Sequence, residues 1–119
     1  MKSTNKRMLS VITTLSVVCI MSATSLAASF SVYQTGAGHS DKMTQYFNFS
    51  GSKTSVYAYC SSATHNSTVT VVVPGSTTWT LAAGQGHTFS RTATSGMMTC
   101  SVTLNPSSSG AESAQGTIS

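Results

Sequence analysis

The chain has 119 residues, a formal net charge of +4 and 7% charged side chains, while Ser and Thr together make up about a third of it, far above ordinary globular usage. Half of its basic residues, Lys2, Lys6 and Arg7, crowd the N-terminus. The rest of the chain sets Lys42, Lys53 and Arg91 against Asp41 and Glu112 and is nearly neutral, which excludes nucleic-acid or anionic-membrane binding through a basic patch.

The first segment reads as a secretory signal peptide: a charged start, an uncharged apolar run from Met8 to Ile20, then Ser25-Leu26-Ala27 with small residues at the −3 and −1 positions. Cleavage is expected after Ala27, which makes residues 1–27 a leader of bacterial type and the product extracellular. The apolar run is short of the roughly 20 residues a spanning helix needs, and Val17-Val18 before Cys19 do not suit a lipobox. The expected product is released, with no membrane anchor after cleavage.

From Phe30 to Leu104 the pattern is one of short alternating segments punctuated by Gly, Pro, Ser and Asn, with no apolar period near 3.6. The sequence predicts an all-β domain over residues 28–104, a small antiparallel two-sheet sandwich of Ig-like architecture. Its seven expected strands are Phe30–Gln34, Met43–Phe49, Thr54–Cys60, Thr68–Val73, Thr77–Ala82, His87–Thr92 and Met97–Leu104. Gly51-Ser52 suits a two-residue type II′ turn, so the second and third strands are expected to form a hairpin that pairs Phe47 with Val56 and Tyr46 with Tyr57. At Pro74-Gly75-Ser76 a three-residue loop sets Val71 opposite Trp79 and Val69 opposite Leu81. That register puts Trp79 in the core with Phe89, Met98, Cys100, Val102 and Leu104. Residues 105–119 carry little apolar content and read as a disordered Ser/Gly-rich tail.

Once the leader is lost two cysteines remain, Cys60 and Cys100, and an oxidising compartment predicts one disulfide between them. Closing that loop of about 40 residues would stabilise a small domain by about 4 kcal/mol in the chain-entropy view.

The inventory for catalysis is thin: Asp41, Glu112, His39, His65 and His87 beside many hydroxyls. Glu112 falls in the expected tail, so a carboxylate pair with Asp41 is not anticipated. His39-Ser40-Asp41 holds the residue types of a serine hydrolase, but near neighbours in sequence do not easily line up nucleophile, base and orienter. The histidines lack a ligand cluster. The expectation is therefore no enzyme, no cofactor and no metal.

The feature that points to function is aromatic. In the expected hairpin Tyr46, Tyr57 and Tyr59 share the outer face with Thr44, Asn48 and Ser55, a surface suited to stacking on sugar rings or to a protein contact. The sequence thus predicts a secreted binding or surface-association protein whose partner is a glycan or a cell-surface protein, with self-association through exposed strand edges as a further property. The competing class is a secreted bacteriocin-like toxin or protein inhibitor.

Overall fold

The computed structural model describes residues 27–36 and 42–119. The expected leader, apart from Ala27, and the tripeptide His39-Ser40-Asp41 lie outside the described residues. The described chain forms eight strands: β1 (Ala28–Gln34), β2 (Thr44–Ser50), β3 (Ser55–Ala63), β4 (Thr68–Val72), β5 (Trp79–Leu81), β6 (Gln85–Ser90), β7 (Met97–Asn105) and β8 (Glu112–Ile118). They build two antiparallel four-stranded sheets, ordered β1-β8-β3-β6 and β2-β7-β4-β5.

The topology follows from one long antiparallel hairpin rolled on itself. The first strand pairs with the last, β2 with β7, β3 with β6 and β4 with β5, and successive pairs fall in alternate sheets. Rolling adds the pairs β3·β8 and β4·β7, which join the two halves of each sheet. This is a jelly roll, a β-sandwich but not the Ig-like arrangement of strands. The tip of the long hairpin is the turn Val73-Pro74-Gly75-Ser76, where Ser76 N–H donates to the Val73 carbonyl at 3.0 Å. Pro74 pre-sets the second position and Gly75, at φ 82°, supplies the left-handed third, the chemistry of a type II turn. The expected register follows it: Val71 pairs with Trp79 and Val69 with Leu81.

The core is the set of inward residues that strict alternation selects. Phe30, Val56, Val71, Leu81, Phe89, Val102, Leu104 and Ile118 are all essentially inaccessible, and each stands on the inner face of its strand. At roughly 1.5–3 kcal/mol per buried aliphatic or aromatic side chain, this layer is the dominant stabilising term.

Four expectations change. The last fifteen residues do not form a disordered tail: β8 lies between β1 and β3, and Glu112, Ala114 and Ile118 are buried. Apolar content misleads here because only alternate residues of β8 face the core and two of those are alanine and glycine. Gly116 is needed at its place, since a Cβ there would fall 2.0 Å from the Tyr59 carbonyl oxygen and 2.5 Å from the Phe30 ring.

The second concerns the hairpin at Gly51. Lys53 N–H does close a turn on the Ser50 carbonyl at 3.1 Å, but β2 and β3 leave it for different sheets. Gly51 serves close approach rather than a positive φ. Its N–H donates to Gly96 O at 2.7 Å, its carbonyl accepts from Thr94 N–H at 2.8 Å, and a Cβ would lie 2.8 Å from the Thr94 and Gly96 oxygens. A tight turn fixes the chain direction locally; which strands then pair depends on where the apolar faces find partners.

The third is the disulfide. Cys60 and Cys100 are fully buried free thiols. Both point inward, but β3 packs against β4 across the sandwich while β7 stands one strand further over. The two thiols thus sit in different sheets with an offset of one strand, and no bridge joins them. Burial pushes both thiols above their ordinary pKa, so they behave as small apolar residues. The fourth is Trp79, which has the expected strand partner but is 45% exposed, as described next.

Candidate binding surface

Charge is absent from both outer faces. Among the described strands the only Lys, Arg, Asp or Glu is Glu112, and it is buried. Lys42, Lys53 and Arg91 occupy connections. The sheets therefore present hydroxyls, amides and tyrosines to solvent, and any recognition by these faces works through hydrogen bonds and ring stacking.

The three expected tyrosines do not form one group. Tyr46 stands on the outer face of β2, paired with Ser101, and is 68% exposed. Tyr57 and Tyr59 project from β3 on the outer face of the opposite sheet, paired across β6 with Thr88 and Gly86. This separation follows directly from the loss of the β2–β3 hairpin.

Tyr57 and Tyr59 acquire different neighbours. The outer position of Gly86 is filled by the Tyr57 ring: a Cβ on Gly86 would fall 2.2 Å from the Tyr57 hydroxyl oxygen and 2.8 Å from its Cζ. The ring thus leans over β6, an edge strand, and remains 44% exposed. On the inner side of the same edge His87 stacks on Trp79 of β5, with ring centroids 4.0 Å apart and planes within 6°. His87 also meets Phe89 edge-on at 4.7 Å. The sandwich is open at its β5/β6 side, so an inward-pointing Trp79 reaches solvent instead of closing into the core. A surface depression lined by Trp79, Thr80, Leu81, Gln85, Gly86 and His87 runs along this side. Gly86 joins the two features, since it borders the depression and lies beneath Tyr57. The sequence signal for it was a glycine two residues from a tyrosine-facing threonine, which only the β3–β6 register makes meaningful.

Two polar clusters at the ends of the sandwich compete as sites. At one end Glu112 begins β8, its carboxylate 1% exposed. It accepts from Thr64 Oγ1 and Ser108 Oγ at 2.5 Å each, His65 Nδ1 at 2.8 Å, and Ser67 and Ser107 at 3.3 Å each. The His65 contact, then the Ser108 and Thr64 hydroxyls, hold its pKa down at about 2 against the opposing effect of desolvation. Such a carboxylate is a committed acceptor and a poor proton donor. It ties the β3–β4 connection to the β7–β8 connection, and it keeps His65 in the left-handed region at φ 51°, uncommon for a residue with a Cβ. His65 Nδ1 faces an acceptor-only group and so carries the proton. Among the described residues no hydroxyl or thiol hydrogen-bonds its other nitrogen, and no cluster of three metal-ligating side chains exists.

At the other end Arg91 is similarly consumed. Its Nε donates to Pro74 O at 2.8 Å, its Nη1 to the Gly51 and Lys53 carbonyls, and its Nη2 to Thr94 Oγ1 at 3.3 Å. One guanidinium pins three connections, and the depression beside it, bordered by Met97 and Thr99, has that cation as a wall already spoken for. Among the described residues the Glu112 carboxylate and the Arg91 guanidinium are thus both taken up by the fold itself.

No protein-family model matches the sequence, and no curated protein does. Among solved structures the chain is similar to a de novo designed double-stranded β-helix determined by solution NMR, at 14% identity and a TM-score of 0.46, over 79% of this chain and 99% of that one.

Proposed function

We propose that this chain is a secreted, non-catalytic binding module that recognises an extended glycan along the β5/β6 side of the sandwich. Tyr57 and Trp79 are the stacking platforms, Tyr59 flanks them, and Gln85, Thr80 and Thr88 offer hydrogen bonds. One observation carries this reading: Gly86 leaves room for the Tyr57 ring over the edge strand beside the solvent-facing Trp79–His87 stack. Two aromatic surfaces with short polar neighbours thus flank the uncharged β6 edge, one on each side. Sugar rings offer C–H faces to aromatics and hydroxyls to amides and Ser/Thr oxygens, a combination this strip matches without any charge. Tyr46 of the sequence-based set stands apart and is not assigned to it. The leader-like N-terminus supports an extracellular place of action.

Trp79 is the sole tryptophan, so its fluorescence reports on the strip directly. Titration of the protein lacking residues 1–27 with soluble cell-wall polysaccharides should shift or quench that emission saturably. Tyr57→Ser and Trp79→Ala should each weaken retention on the insoluble polysaccharide by about 1–2 kcal/mol, the scale of an interfacial aromatic. Retention unchanged in both variants would refute the assignment.

A further inference from the structure

The strand edges of this sandwich are unequal. In β2 the residues that bond to β7 are the odd ones: Leu104 N–H donates to the Met43 carbonyl at 2.8 Å and these two residues stand opposite each other in the register. The alternation of an antiparallel ladder then turns the N–H and C=O groups of Thr44, Tyr46 and Asn48 away from β7, toward the open side. Among the described residues nothing bonds to them. The other edges differ. The outward amides of β1 are capped, Ser31 N–H by Gln45 Oε1 and Tyr33 N–H by the Lys42 carbonyl, each at 2.9 Å. The β5 strand has three residues. The β6 edge contains Gly86, overhung by Tyr57.

Within Thr44–Ser50 the β2 edge carries no charge and no proline, and its register against β7 runs without a bulge, although β1 lies against its first residues through the Lys42 carbonyl and Gln45. It leaves aromatic surface uncovered on both faces, with Tyr46 68% exposed outside and Phe47 only partly buried inside.

We infer that this edge is a homodimer interface in which β2 of two copies pairs antiparallel about a two-fold axis at Tyr46, joining the two β2-containing sheets into one continuous sheet. The axis puts Tyr46 opposite the partner's Tyr46 and Thr44 opposite the partner's Asn48. The outward groups then meet as hydrogen-bonded pairs, giving about six inter-strand hydrogen bonds. On the outer face the two tyrosines stand side by side; on the inner face Phe47 lies beside the partner's Gln45. A strand that presents the same unpaired pattern in both directions from a central residue is self-complementary, as an isologous contact requires. The pairing leaves both β5/β6 sides free, so a dimer would display two copies of the proposed glycan strip and gain by avidity on a polymer. The dimer itself does not depend on that reading.

The test is the mass of the exported-length protein by analytical ultracentrifugation from about 1 µM to about 1 mM, the span in which an interface at the small end of the size classes titrates. The parent should pass from monomer to dimer. Thr44→Lys with Asn48→Lys sets like charges opposite each other across the axis and should raise the dimer Kd at least tenfold. Thr44→Lys with Asn48→Glu sets opposite charges together and should restore or tighten it. Tyr46→Pro removes an outward N–H that β7 does not use, so it should abolish the dimer while the melting curve stays cooperative. A parent that stays monomeric throughout, or two double variants that dimerise alike, overturns the inference. If Tyr46→Pro does not fold, the charge pair still decides.

Discussion

Ile118→Ala tests whether the last strand is part of the core. Ile118 is fully buried on β8, paired with Ala28 on one side and Ala58 on the other. The substitution removes three carbons, about 2.4 kcal/mol at about 0.8 kcal/mol each. Neighbours on the flanking strands β1 and β3 cannot collapse freely into the hole, so a cavity contribution brings the expected cost to about 3–4 kcal/mol. In a domain of this size each kcal/mol moves the melting temperature by about 4–8 °C, which gives a fall of about 12–30 °C by circular dichroism. Thr117→Ala, one residue earlier and on the outer face opposite Tyr59, should cost less than about 1 kcal/mol. The contrast matters more than either value, because a strand alternates and a disordered tail does not. If both variants melt within about 4 °C of the parent, β8 is not where the structure puts it and the topology fails with it.

Three further outcomes follow from the polar groups and thiols. Glu112 has its pKa lowered from an ordinary 4.5 to about 2, so its contribution to stability is complete above about pH 4.5 and is lost as pH falls toward 2. Urea midpoints should decline through that window in the parent, and Glu112→Gln should be less stable at neutral pH with a flatter acid limb; identical limbs would show that the network contributes nothing. Arg91→Lys should cost about 2 kcal/mol, since an ammonium lacks the planar fork that serves three carbonyls of two connections at once; a variant as stable as the parent would show that the connections hold without the guanidinium. Cys60 and Cys100 should resist a thiol reagent in the native protein and both react in denaturant, and a denatured protein with no titratable thiol would show that they are bridged.

Composition and periodicity alone determined that this is an all-β sandwich. They also determined which residues of β2 to β7 face inward, because a period of two is a local property and the solvent sorts its two faces. The Pro74-Gly75-Ser76 turn was legible for the same reason: the hydrophobic pattern prefers the register of a three-residue loop, which sets Val71 opposite Trp79. What lay beyond the sequence was which strands distant in the chain lie side by side. Gly51 looks the same whether it turns a hairpin or lets one loop touch another, and β8 carries too few large apolar residues to announce a strand that β1 and β3 enclose from both sides. Cys60 and Cys100 point into one core, yet the order of strands holds them apart. Trp79 shares the inward side of β5 with Leu81, but Leu81 is buried and Trp79 meets solvent at the open β5/β6 side. Pairing between distant strands is decided by how two sheets cover one another, a free energy of the whole chain that no local window of residues contains.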